Sequence, residues 1–228
     1  MRVSTLLEWS VLIAVFIVAL LALQWIVTMA VAGPPLLTAR DDPGTAQGCA
    51  DLGGFYQDPI GSESPISRQV GTVAFTLQPL YRYRIVGKVV GKDEYSASPL
   101  DQLGPMDLTI ANGDVIRPEI LSHVTIRKYP RHFTFQYFFP AGTDPLSSQY
   151  VNEHISNNHL IFADDSAYSV AKSVDIGDMV EISGYLVSVS GKGSDRSTYT
   201  WTTSTTRSDM GEHACEIVYV TSFRKYVC

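Results

Sequence analysis

Short runs of alternating apolar and polar residues follow one another along most of the chain from about Gln69 onward. Alternation with a period of two predicts strands that bury one face, and clusters of Gly, Pro and Asp between the runs predict turns. We predict eight strands, over residues 70–77, 81–91, 106–113, 124–129, 132–139, 179–191, 197–206 and 215–223. Only residues 118–123 and 166–173 are expected to form short helices. The pattern therefore predicts an all-β domain over residues 69–228.

Several glycines lie inside or at the ends of these runs, where they permit bulges and tight bends: Gly87, Gly91, Gly184 and Gly191. The phrase IGDMVEISGYLV, residues 176–187, places an Asp-containing turn before an alternating strand with a central glycine. This form is common in five-stranded OB barrels. We therefore expect a small, antiparallel, OB-like barrel.

The N-terminal pattern is different, because residues 11–32 contain no charged side chain. As a helix they would span roughly 30 Å, the thickness of a bilayer core. We predict that residues 1–33 form a transmembrane helix and signal anchor, whose first partner is membrane lipid. A cleaved signal peptide is the alternative, because Ala30-Val31-Ala32 resembles a cleavage site, but the apolar run is longer than such peptides need.

Orientation and linkage follow from the flanking residues. Arg2 precedes the apolar run, which favours an N-terminus inside the cell and a domain outside the cytoplasmic membrane, in the periplasm or at the cell surface. Residues 34–68 are dense in Gly, Pro, Ser and Asp and are interpreted as a spacer with loops.

Composition and charge narrow the possible partners. The chain has 228 residues, 45% of them hydrophobic, and a formal charge of -6 without any run of five basic residues, so nucleic acid is not an expected partner. Cys49, Cys215 and Cys228 form no CxxC pair. A disulfide between Cys215 and Cys228 would tie down the C-terminal tail, and a buried or free thiol is the alternative.

Two polar clusters are the candidate functional residues. One is HISNNHLI, residues 154–161, with Asn157, Asn158 and His159; the other, residues 204–220, contains Arg207, Asp209 and Glu216. In a functional interpretation His159 is a base or ligand, Asp209 or Glu216 orients it, and Arg207 holds an anion. The simpler interpretation is that these groups satisfy turns, with Arg207 and Asp209 as a structural ion pair.

Other candidate sites are weaker. His154, His159, His213 and Cys215 match no standard zinc spacing, so neither a metal nor another cofactor is expected. Alternation places Phe133, Phe135 and Tyr137 on one strand face, as a core face in preference to a ligand platform. Trp201 has polar neighbours on both sides and is expected to be exposed, facing a partner or the membrane.

Four phrases resemble an uncharacterised family of membrane-anchored, extracytoplasmic prokaryotic proteins: PMDLTIANGD (105–114), HISNNHLI, IGDMVEISGYLV and WTTSTTRSDMGEHACEIVYV (201–220). The family's polar NxHLI segment and its later TR-D-G-ACE segment map onto Asn158, His159, Arg207, Asp209, Gly211, Cys215 and Glu216. The resemblance implies an anchored extracytoplasmic domain and names no activity. This chain departs from the family at Asn112, near the place where members commonly carry a tryptophan.

Residues 4–24 also resemble the N-terminal helix of type IV and Flp-like pilins, in which a glutamate supports subunit packing. That residue would be Glu8, although only Met1-Arg2-Val3 precede the motif and no Gly or Ala marks a processing site.

Three functions follow as hypotheses. The favoured one is an anchored binding or accessory module without catalytic activity, which docks on another membrane or envelope protein. The alternatives are a pilin-like filament subunit that assembles through Glu8, and a hydrolase or metal-dependent enzyme built on His159, Arg207 and Asp209.

Overall fold

The computed structural model describes residues 54–140, 142–209 and 214–227, all within the second of the chain's two units, Pro43–Cys228. The predicted transmembrane helix, its Glu8 and most of the predicted spacer lie outside the described residues. Within the described part, no helix is both long and apolar enough to cross a bilayer.

The described residues form a β-rich domain, as the alternating pattern predicts. Its strands are β1 (Gly54–Pro59), β2 (Ile66–Val70), β3 (Val73–Glu94), β4 (Met106–Ala111), β5 (Val124–Tyr129), β6 (His132–Tyr137), β7 (Ile155–Phe162), β8 (Met179–Gly193), β9 (Thr198–Trp201) and β10 (Glu216–Tyr226). The helices are short: α1 (Pro99–Leu103), α2 (Pro118–Leu121), α3 (Ser148–Glu153) and α4 (Asp165–Lys172). Helices α2 and α4 confirm the two predicted helices to within two residues.

All strands except β5 and β6 belong to one mixed sheet. Strand β3 pairs with β4 near its C-terminal end and with β8 along most of its length. The sheet continues from β4 to β7, from β7 to β10 and from β10 back to β8. The β7–β10 pair is parallel, so the prediction of a purely antiparallel domain is wrong at that pair. Strands β5 and β6 form a separate hairpin.

The main core lies between these strands. Tyr83, Ile85 and Val89 of β3 alternate with outward residues and pack against buried side chains of β4, β7, β8 and β10. Helix α4 contributes Ala167 and Ala171 to the same cluster. Its N-cap, Asp164, accepts a hydrogen bond from the Ala167 amide, which fixes where this helix begins.

A bulge and a glycine shape the β8–β10 pair. The register shifts between Val220 and Ser222 of β10, opposite Gly184 of β8. A Cβ atom on Gly184 would overlap the carbonyl oxygen of Tyr219. The predicted bend at Gly184 therefore has a steric cause, since only glycine permits this approach of two backbones.

Four segments differ from the prediction; in one of them, the run 197–206, only Thr198–Trp201 forms a strand. The spacer assigned to 34–68 contains β1 and the first three residues of β2, and both strands pair with β3. Residues 73–77 and the run 81–91 belong to one continuous strand, β3, whose register against β8 shifts between Pro79 and Tyr81. The cluster HISNNHLI forms most of strand β7. The pattern does not predict this strand, because its polar side chains are buried on both faces and remove the usual alternation of apolar and polar residues.

Candidate functional site

Strand β7 sends polar side chains to both faces of the sheet. On the inner face, Asn158 accepts a hydrogen bond from the Tyr83 hydroxyl at 2.5 Å and donates to Ser156 Oγ at 3.1 Å. On the outer face lie Asn157 and His159, which are also buried. The two faces therefore carry two separate polar networks.

Asp107 of β4 is the centre of the outer network. Its side chain is 0% exposed, and Oδ1 accepts hydrogen bonds from His159 Nδ1 at 2.8 Å and from Arg131 Nη1 at 2.9 Å. Burial by itself raises the pKa of Asp107, but the His159 hydrogen bond and the nearby positive charges outweigh it and hold that pKa below its usual value. Asp107 is therefore an ionised carboxylate at neutral pH.

Arg131 closes this network from the turn between β5 and β6, where it has a positive φ of 64°. Its Nη2 contacts Asp101 at 2.5 Å and its Nη1 also donates to the Gly104 carbonyl at 2.9 Å. The guanidinium stacks 3.8 Å above the Tyr95 ring. These contacts fasten the hairpin to the outer face of β4.

Lys128 makes a second attachment from the same hairpin. Its Nζ donates to Asn157 Oδ1 at 2.7 Å and to Thr109 Oγ1 at 3.0 Å, and it lies 3.1 Å from Asp93. These bonds connect the hairpin to Asp93, Thr109 and Asn157 on the sheet, so the outer network has a structural role.

A buried ion pair lies on the same face of the sheet as the inner network. Arg207 Nη1 lies 2.5 Å from Glu216 Oε1, its Nε donates to the Glu153 carbonyl at 3.0 Å, and its guanidinium lies over the Phe55 ring at 4.6 Å. Glu216 is 2% exposed, and burial raises its pKa although the Arg207 charge opposes the shift.

This ion pair is incompletely satisfied. Arg207 Nη2 and Glu216 Oε2 are buried and have no hydrogen-bond partner among the described residues. Leaving a buried donor and acceptor unpaired costs roughly 1–3 kcal/mol each, so this pair lowers the stability of the domain.

A cavity of about 790 Å³ lies next to this pair. It is bounded by strand β6, by Ser148, Gln149 and Asn152 of α3, and by the segments 206–209 and 214–216. Phe133, Phe135 and Tyr137 give it an aromatic wall and Arg207 with Glu216 a polar one. A concave, largely apolar space with a few convergent polar groups is the usual form of a binding site.

The structure does not join the predicted catalytic residues by hydrogen bonds. His159 bonds to Asp107, Arg207 pairs with Glu216, and Asp209 accepts from Ser204 Oγ at 2.6 Å. Glu216 stands beside Asn158 in the parallel β7–β10 register, whereas His159 points to the opposite face. Neither Asp209 nor Glu216 orients His159, and the expected Arg207–Asp209 ion pair is replaced by Arg207–Glu216.

Trp201 differs from its prediction as well. Its ring is partly buried, 4.6 Å from the His159 ring and 5.2 Å from the Arg131 guanidinium. It covers the outer network and is not an exposed partner-facing group. Sequence reasoning missed this network because Asp107, Lys128 and Arg131 come from separate elements and converge only through the β5–β6 hairpin.

Cys215 is a buried free thiol, and burial raises its pKa to about 12. Cys228, the partner in the predicted bridge, lies outside the described residues. Cys215 directly precedes the 11-residue strand β10, whose ends lie roughly 30–35 Å apart, whereas a disulfide requires Cα atoms within about 7 Å.

Within the described residues, no group of three or more His, Cys, Asp and Glu side chains is arranged to hold a metal ion. His154, one of the residues considered for zinc, stacks on Tyr150 at 3.8 Å and bonds to its carbonyl oxygen. Comparison with known proteins gives no family model, no curated protein and no solved structure that matches this chain. The resemblance to the uncharacterised extracytoplasmic family therefore stays a prediction from the motifs.

Proposed function

We propose that this chain is a binding module without catalytic activity, which docks on another membrane or envelope protein through the cavity beside β6. The observation that carries the proposal is an aromatic cavity of about 790 Å³, whose wall includes the buried Arg207–Glu216 pair. A concave space with an aromatic wall and a few polar groups is the usual form of a binding site.

The arrangement of the other polar residues supports binding over catalysis. A general base must reach the proton that it removes, within about 3.2 Å or through one water. His159, the predicted base, is 2% exposed; its ring is hydrogen-bonded to Asp107 and lies against the ring of Trp201. Arg207 and Asp209 belong to other hydrogen-bonded groups, so the three residues offer no shared reaction centre.

We further propose that the domain is an OB-like barrel. Five strands are linked in a ring of pairings, β3–β4–β7–β10–β8 and back to β3. A parallel pair between the third and fifth strands of the ring in chain order, with a helix between the third and fourth, is consistent with an OB arrangement. In this view the β5–β6 hairpin is an insertion between the second and third strands.

The proposal includes the location of the module. Residues 11–32 hold it at a cytoplasmic membrane as an uncleaved anchor, and the domain works on the outer side. Attachment to the membrane raises the local concentration of any partner in the same membrane, so an interface of modest size suffices.

Extraction of the full chain in mild detergent tests the docking function. We expect a stoichiometric partner to co-purify with the wild type and with Ser208→Ala. Ser208 is exposed at the cavity wall, so Ser208→Trp fills the cavity without disturbing the core and should release that partner. Repeated recovery of a lone monomer, or retention of the partner by Ser208→Trp, would count against the proposal.

A further inference from the structure

Strand β6 has one edge that no other described strand occupies. It pairs only with β5, in a register that joins Tyr129 to His132 and Val124 to Tyr137. In an antiparallel pair, every second residue turns its backbone N–H and C=O groups toward the partner strand and the residues between turn theirs away.

A hydrogen bond at the end of the hairpin shows which residues of β6 face β5. The Phe138 amide donates to the His123 carbonyl at 3.2 Å, just beyond the last pair of the β5–β6 ladder. Counting back by two places Gln136, Thr134 and His132 in bonds to β5. The backbone groups of Phe133, Phe135 and Tyr137 therefore point to the free edge, and none of them bonds to another described element.

The cavity lies along that edge. Side chains on opposite faces of β6 line it together, His132 and Thr134 from one face and Phe133, Phe135 and Tyr137 from the other. Residues of both faces can border one space only if that space runs beside the strand. Helix α3 and the segment 206–209 form the far wall, so a cavity of about 790 Å³ lies next to the edge.

We propose that the cavity binds an extended peptide segment of the protein partner, which adds to the free edge of β6 as a third strand of the hairpin sheet. This inference rests on the docking function proposed above and names the form that the docked segment takes. From Phe133 to Tyr137 the edge is roughly 13 Å long, which gives an added strand of about four or five residues and about four to six backbone hydrogen bonds.

The walls also specify the side chains of the added segment. Alternate residues of an added strand face the aromatic side formed by Phe133, Phe135 and Tyr137 and should be apolar. The far wall carries the amide side chains of Gln149 and Asn152. The residues between the apolar ones should therefore be uncharged polar residues that can bond to an amide, such as Asn, Gln, Ser or Thr.

The test uses the full chain in mild detergent and a phage-displayed library of random heptapeptides as the probe. The most enriched peptide is synthesised with a fluorescent label, and its Kd is measured by anisotropy. Each backbone amide of the peptide is then methylated in turn. Strand addition predicts alternation: methyl groups on amides that face β6 weaken binding about tenfold or more, and those on the amides between them change it less than about threefold.

Amide hydrogen exchange measured by NMR gives the same test from the side of the protein. On peptide binding, exchange of the Phe133, Phe135 and Tyr137 amides should slow by about tenfold or more. The Thr134 and Gln136 amides already bond to β5 and serve as the internal control, with little change.

Absence of any enriched peptide, binding without alternation, or a dimer of this chain formed through β6 would overturn strand addition. The two proposals fail separately. A co-purified partner that Ser208→Trp releases, together with an N-methyl scan that shows no alternation, refutes strand addition alone. A lone monomer in the extraction experiment refutes the docking function on which it rests.

Discussion

Replacement of Asp107 by Asn is the sharpest test of the network that fastens the β5–β6 hairpin to the sheet. The carboxylate is 0% exposed and accepts from His159 and Arg131 through the same oxygen, Oδ1. Asparagine has nearly the same shape, but it has no charge and places an N–H₂ group where an acceptor stood. The variant therefore leaves the Arg131 charge without its buried partner.

The size of the effect follows from these contacts. Hydrogen bonds to charged groups contribute about 1.5–3 kcal/mol each; asparagine Oδ1 accepts the same two bonds only in a weaker, uncharged form, and its N–H₂ group faces the Asn157 Nδ2 donor. We expect Asp107→Asn to lower the free energy of unfolding by about 3 kcal/mol. For a domain of this size, about 2–4 °C per kcal/mol gives a Tm lower by about 6–12 °C.

The pH dependence gives an independent check. The pKa of Asp107 is lowered in the folded state, so its contribution is present above the unfolded value of about 3.9 and is lost as the pH falls through the folded pKa. The difference between the wild type and Asp107→Asn should therefore be constant near neutral pH and should shrink as the pH falls below about 4.

Thermal melting of the full chain in mild detergent, followed by far-ultraviolet circular dichroism, measures both effects. Asp114→Asn is the matched control, because it makes the same chemical change in an exposed ion pair whose atoms lie 3.8 Å apart. Exposed pairs contribute about 0–1 kcal/mol. A Tm for Asp107→Asn within about 2 °C of the Asp114→Asn value, or a difference that does not change with pH, would refute the role given to the outer network.

Three further predictions concern the packing of the domain. Because burial raises the pKa of Cys215 to about 12, its thiol should react with maleimide at least about tenfold more slowly in the folded protein than in denaturant; peptide mapping should find no Cys215–Cys228 bridge. Gly184→Ala, which sets a methyl group against the Tyr219 carbonyl, should lower stability by about 1–3 kcal/mol in the same melting assay, whereas an unchanged Tm would contradict the steric argument. The Arg131→Lys variant lacks the planar guanidinium group and cannot bond to both Asp101 and Asp107. It should lower the free energy of unfolding by about 1–3 kcal/mol, with Arg127→Lys as the control on β5.

The amino-acid pattern by itself determined most of the strands. Period-two alternation depends only on which residues bury one face, so β5, β6 and β8 were located from the sequence to within about two residues. The two helices were also found, since their caps and turn residues are local signals. The same local reasoning missed β7, because a strand with buried polar groups on both faces has no alternation of apolar residues to detect.

The candidate site depended on tertiary structure. His159 and Arg207 are prominent in the sequence. Successive residues of a strand point to opposite faces of the sheet, so the β7–β10 register was needed to show that His159 and Arg207 belong to different networks. Asp107 became visible as the partner of His159 only when β4 paired with β7. The free edge of β6 and the cavity beside it arise from elements far apart in the chain. Chain sequence specifies local conformation through steric and burial preferences of each residue, whereas a site is a set of distances between segments, which packing alone decides.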